Sequence, residues 1–135
     1  MNGSDRWAST TQGILRIVAG FLFWQHGAQK LFGWLGGTPL DSWFSWPMGA
    51  SGLLEFFGGL LVLVGFKTRY AAFILSGEMA VTYWWMHFPR GLTPIQNGGD
   101  LPVLFCFTFL FLWAAGPGRF SVDGVLAARA GAAEG

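Results

Sequence analysis

Ionisable side chains are sparse in this chain, and several of them interrupt apolar sequence. His26 and Lys30 lie four residues apart in "GFLFWQHGAQKLFGW", Glu55 follows in "GLLEFFGG" and Glu78 in "LSGEMAV". His87 and Asp100 flank "FPRGLTPIQNGG", and Trp84 stands in the aromatic run before it. Histidine and lysine donate hydrogen bonds, whereas carboxyls accept them or carry protons. This set suits a polar ligand head held between apolar walls, with proton transfer to that head. Cys106 is the only cysteine, so an intrachain disulfide, a dithiol reaction and a thiolate metal site within one chain are excluded. No metal-ligand spacing is present.

Something larger than one helix must bring these groups together. The chain has 135 residues, 53% hydrophobic and 11% charged, against about 25% charged in ordinary soluble proteins. Eight Trp and fourteen Phe carry more apolar area than one small soluble core hides. The composition predicts a single integral membrane domain over 1–135, with the lipid bilayer as its first partner. A net charge of +1 offers no basic surface for phosphates, which excludes nucleic acid.

The expected fold is all-α, a four-helix membrane bundle. Spans are predicted at roughly 11–34, 49–66, 70–88 and 99–115, each near the length of about 20 residues that a bilayer requires. The breaks between them are "GGTPLDSWFSWPMG", "GFKTR" and "PRGLTPIQNGGD". Asp100 is expected to cap the fourth helix, with Pro102 in its first turn, and Gly116–Pro117 to end it. The closing "AARAGAAEG" reads as a short, loosely held helix or disorder. Arg6, Lys67, Arg69, Arg119 and Arg129 gather on the side of the termini, while Arg90 and Lys30 lie toward the other. The positive-inside rule then puts both termini in the cytoplasm of a bacterium, in its inner membrane. Arg16 interrupts the first apolar stretch and no clean cleavage site follows, so the N-terminus reads as retained.

Charges inside spans should face protein or water, because each costs about 2.5–3.5 kcal/mol at a helix centre. The spacing agrees with that. Gly13, Gly20 and Gly27 recur every seven residues, with Arg16, Phe23 and Lys30 three residues after each. Heptad spacing keeps them on one stripe. Gly52, Glu55, Gly59 and Val62 repeat the device in the second span. Lys30 and Glu55 fall at overlapping depths on antiparallel neighbours and are expected to pair, with His26 on an adjoining face. Arg16 sits near the cytoplasmic boundary, where its side chain can snorkel. A purely structural reading stands beside this one: the pair fixes helix register, His87 is a half-wet interfacial histidine, and Trp84 and Trp85 belong to an aromatic belt.

Four segments resemble the DoxX family of small bacterial membrane proteins: "RIVAGFLFWQHGAQKLFGW", "GLLEFFGGLLVLVGFKTRYAA", "NGGDLPVLF" and "GPGRFSVD". The family pattern falls on Arg16, Gly27, Lys30, Glu55 and Gly58–Gly59. It continues on Asn97–Gly98, Gly116, Pro117, Gly118, Ser121 and Asp123. Asp100 stands where relatives often carry Glu. The resemblance implies a four-helix bundle and a link to membrane redox complexes such as thiosulfate:quinone oxidoreductase.

Two classes of function follow. The first is a redox-complex subunit with a quinone-type site in the outer half of the bundle, formed by His26, Lys30, Glu55, Glu78, Trp84, His87 and Asp100. Phe23, Trp24 and Phe56 would add apolar wall. The chain shows no flavin or metal-cluster motif, so electrons must come from a partner protein or a small reductant. Lys30 and Arg90 could attract a small anion from outside. The second class is a non-catalytic assembly protein whose buried charges organise packing or receive a partner; a second copy of the chain is a further candidate partner. Haem ligation by His26 and His87 is weaker, because two histidines have no supporting pattern. Solute transport is weaker too, since no inverted repeat is visible.

Overall fold

The glycine heptad of the first segment dictates what it can pack against. In the computed structural model, which describes residues 2–133, α1 runs Gly3–Phe32. It starts on a reciprocal cap between Asn2 and Asp5 and stops at Gly33, whose φ of 67° suits glycine. Gly13, Arg16, Gly20, Phe23 and Gly27 are all buried along one stripe, and Lys30 is half-buried at its end. A second helical run covers 48–64: α2 (Met48–Leu53), a π turn (Leu54–Gly58) and α3 (Gly59–Val64). Its own stripe, Gly52, Glu55, Gly59 and Val62, is buried against α1. A Cβ on Gly20 would sit 2.6 Å from the backbone nitrogen of Leu63, and one on Gly27 would collide with the Phe56 backbone. The two backbones therefore approach without side chains between them.

The third run covers 68–87, as α4 (Thr68–Thr82) and a second π turn (Tyr83–His87). A short 3-10 turn (Phe88–Arg90) and α5 (Pro94–Asn97) lead into α6 (Asp100–Ala115), which packs mainly on α4. Phe23 of α1 meets Phe105 and Phe109 of α6 edge-on, with centroids 5.2 and 4.9 Å apart. Leu75, Val62 and Leu112 complete this core, which Cys106 borders. No strand occurs among the described residues. α7 (Val122–Ala133) lies mostly exposed; Glu134 and Gly135, the end of "AARAGAAEG", fall outside the described residues.

Asp100 does not cap α6. Asn97 Oδ1 accepts the Gly99 amide at 2.8 Å and closes the turn one residue earlier, so Gly99 takes the cap position and Asp100 begins the helix. Among the described residues no single helix is long and apolar enough to cross a membrane. The 30 residues of α1 include Arg16, His26 and Lys30. The largely apolar α6 has only 16 residues, a rise of about 24 Å. π turns divide the other two runs.

Arg16 does not snorkel. It is 0% exposed, and its guanidinium donates only to backbone carbonyls. These are Val62 (2.9 Å) and Leu63 at the end of α3, and Pro117 (2.8 Å), Arg119 (3.2 Å) and Phe120 (2.8 Å) in the segment after α6. Helix C-termini leave carbonyls without partners and carry partial negative charge, so a buried cation is satisfied there. The same logic repeats nearby. Arg69 Nη1 donates to the Trp113 and Ala114 carbonyls at 2.6 Å, closing α6. Asp123 accepts the Lys67 and Thr68 amides at 2.8 and 2.9 Å, closing the start of α4. Burial pushes the Asp123 carboxyl up, but those amides and the Arg16 charge outweigh it and hold the group below the ordinary carboxylate value.

Candidate functional site

Glu55 sits in the π turn Leu54–Gly58, buried beside the last turns of α1. Lys30 Nζ lies 2.8 Å from Glu55 Oε1 and 2.8 Å from Ser51 Oγ, and Ser51 Oγ donates to the same carboxylate oxygen at 3.1 Å. It is the single ion pair among the described residues, with the two side chains 25% and 5% exposed. Removing such charges from water costs several kcal/mol, roughly, which the attraction and hydrogen bonds must offset. An ammonium has three donors, so one N–H of Lys30 remains for a further acceptor. Glu55 Oε2 has no protein partner.

Lys30 and Ser51 also line a cleft of about 430 Å³ between the 48–64 and 68–87 runs. Trp46, Met48, Leu54, Ile74, Val81, Trp85 and Met86 form its apolar walls; Glu78, Thr82, His87 and Arg90 join the polar lining. The size falls in the roughly 300–1,000 Å³ range of small-molecule sites, and so does the mixture of apolar wall with a few polar groups. Both carboxylate oxygens of Glu78 are buried and make no hydrogen bond of normal geometry; the Ser51 hydroxyl, which donates to Glu55, is the side-chain donor within reach, and Glu55 and Lys30 act on the group electrostatically. Buried acceptors are almost always paired. Glu78 thus keeps acceptor capacity that the side chains around it do not fill.

His87 belongs to the second π turn. Its Nδ1 lies 3.1 Å from the Asn97 carbonyl, which can only accept. The proton of the neutral ring is therefore on Nδ1, and Nε2 is left as an acceptor. Asn97 is itself buried and donates to the Gly91 carbonyl at 2.9 Å and the Tyr83 hydroxyl at 3.3 Å, which holds the outer loop against the helix end.

The fold brings Lys30, Glu55, Glu78 and His87 to one side and leaves three other predicted residues elsewhere. His26 is half-buried and meets Phe105 edge-on at 6.4 Å. A separation of four residues rotates it about 40° past Lys30, toward α6 instead of the cleft. Trp84 is 59% exposed and packs on Tyr83 and Phe88. Its neighbour Trp85 takes the cleft position, together with Met86 and His87. Asp100 is exposed at the start of α6, which contributes no residue to the cleft lining. Phe23, Trp24 and Phe56 are also absent from that lining. Ser51 is a residue that sequence reasoning could have found, since it precedes Glu55 by one helical turn. Thr82 and Met86 carry no such signal.

Residues 12–88 match the DoxX family. An uncharacterised protein of Haemophilus influenzae is 34% identical over 128 residues, covering 91% of this chain and 96% of its own. The "Inner membrane protein YqjF" of Escherichia coli is 32% identical over 122 residues, covering 84% and 89%. No solved structure matches the chain. The chain belongs to the DoxX family, a family of membrane proteins.

Proposed function

We propose that this protein spans the bacterial inner membrane four times and holds a quinone-class ring in the cleft between residues 48–64 and 68–87. On this reading it is the membrane subunit of a redox complex. The likeness to an Escherichia coli inner membrane protein supports the location. The surface supports the bilayer: Ile14, Leu15, Val18, Phe21 and Leu22 of α1 and Leu101, Leu104, Phe107 and Phe111 of α6 are all exposed. Contiguous apolar surface on that scale needs a covering. The helical runs 3–32, 48–64, 68–87 and 100–115 then cross together, the π turns being absorbed within the second and third. Both termini lie at the cytoplasmic face by the distribution of arginine and lysine.

The observation that carries the ligand proposal is Glu78, whose two buried oxygens make no hydrogen bond of normal geometry inside an apolar cleft and share the Ser51 hydroxyl within their reach with Glu55. A quinone supplies two-electron, two-proton chemistry when bound. Trp85, Met86, Leu54 and Met48 form the slot for its ring and tail. Lys30 offers its remaining N–H to a ring carbonyl, and Glu78 takes or gives the proton at the other. Ser51 and Glu55 hold the Lys30 ammonium in place. On this reading the electrons come from a partner protein or a small reductant.

Lys30 and Glu55 also join α1 to the π turn, which favours the second reading: an assembly protein whose buried charges serve packing alone. Purification in mild detergent followed by solvent extraction separates the two. The redox reading predicts about one quinone per chain, lost in a Glu78→Gln variant that still elutes as a folded species. Protein free of quinone but tightly bound to another polypeptide would instead establish the assembly reading.

A further inference from the structure

The start of α1, at the far end of the molecule from the cleft, carries a second cavity of about 290 Å³. Gly3, Arg6, Trp7, Thr10 and Arg119 line it. The α1 residues recur at three- and four-residue spacing and so share one helix face. Arg119 arrives from the segment after α6, and its placement is fixed by its backbone. The Arg119 amide donates to the Ser9 carbonyl at 3.1 Å, and the Arg119 carbonyl accepts from buried Arg16 at 3.2 Å. This anchoring brings a second guanidinium to the cavity that Arg6 lines.

Neither arginine belongs to an ion pair among the described residues. Asp5, the acidic neighbour of Arg6 in sequence, is engaged in the helix cap with Asn2. Arg119 lies 5.5 Å from the Phe120 ring, and Trp7 is 73% exposed beside the cavity. Two guanidiniums with unused donors, a hydroxyl from Thr10 and exposed aromatic side chains form a receptor for a tetrahedral oxyanion at a lipid boundary. Guanidinium forks match phosphate oxygens two at a time, and exposed indoles favour the headgroup layer.

We propose that this cavity binds a phosphate group, either the headgroup of an acidic phospholipid in the cytoplasmic leaflet or a free phosphate. The lipid source rests on the membrane topology proposed above; the arginine chemistry does not. Acidic lipid held here would fix the depth of α1 and of the segment that Arg16 anchors.

The purified protein in mild detergent is titrated separately with short-chain phosphatidylglycerol, short-chain phosphatidylcholine and inorganic phosphate, with thermal unfolding as the readout. Phosphatidylglycerol is expected to bind in preference to phosphatidylcholine. Arg6→Gln and Arg119→Gln should each weaken it about fivefold, the worth of one basic residue at an anionic surface; Arg129→Gln should leave it unchanged. Binding by phosphatidylglycerol alone assigns the site to lipid. Equal, arginine-dependent binding of inorganic phosphate assigns it to the free anion. Affinity that is unchanged in both Arg6→Gln and Arg119→Gln overturns the proposal, as does the absence of any shift with either phosphate probe. Arg6 is exposed and makes no bond that folding requires, so its variant stays readable if Arg119→Gln proves unstable. Failure here leaves the topology standing, because membrane insertion is measured independently.

Discussion

Lys30 carries one charge and answers two demands, binding Glu55 and Ser51 while still lining the cleft. The pair is more valuable intact than either half alone. Lys30→Met leaves a nearly enclosed carboxylate without its cation and is expected to cost about 3 kcal/mol. Glu55→Gln is milder, because the Lys30 side chain is 25% exposed and water relieves it. The double variant should recover part of the summed loss, measured as thermal unfolding of the four proteins in one detergent. Strict additivity would show that the two groups do not act together. Asp123 gives the residue scale its pH dependence. Its carboxyl is held below the ordinary value, so its contribution is complete above the unfolded Asp value of about 4 and drains as pH falls through the folded one. Wild type should therefore exceed Asp123→Ala by a constant margin between about pH 5 and 8, a margin that shrinks in stronger acid. A margin that grows on acidification would contradict the capping role.

Helix faces were legible where the period was regular. The stripe of Gly13, Arg16, Gly20, Phe23 and Gly27, and that of Gly52, Glu55, Gly59 and Val62, are buried as their spacing requires. That regularity is also why the Lys30–Glu55 pair could be inferred: two glycine stripes bring the backbones so close that the charges between them must meet. Legibility stopped where the period changed. A π turn places an extra residue in a helical turn and shifts the faces that follow, so Trp84 and Trp85 could not be told apart from an α-helical pattern. His26 illustrates a smaller limit, since a 40° rotation, roughly, separates a cleft from a core when both lie beside the same helix. Arg16 shows a different one. Its acceptors Pro117, Arg119 and Phe120 lie about a hundred residues away, and no local spacing announces them. Seen from those contacts, "GPGRFSVD" is a structural clasp: it supplies the carbonyls that receive Arg16 and the carboxylate that closes α4.

The whole molecule divides its polar groups between two ends. One end holds the clasp of Arg16, Arg69 and Asp123, and the other holds the cleft with Lys30, Glu78, His87 and Arg90. Between them lies an aromatic core with an apolar exterior, the arrangement expected where lipid covers the middle and water reaches both ends. Fusing a reporter active only in the cytoplasm to the C-terminus, and to the 33–47 loop, tests this arrangement. Signal is predicted from the C-terminal fusion alone; signal from the loop would invert the topology. The cleft itself is open to direct labelling. Photolabelling with an azido-quinone, followed by peptide mapping, reads it most directly. Label displaceable by excess unlabelled quinone should fall on residues 46–54 and 81–90. Label concentrated on the α1–α6 face near His26 and Phe105, or label that excess quinone fails to displace, would contradict the account.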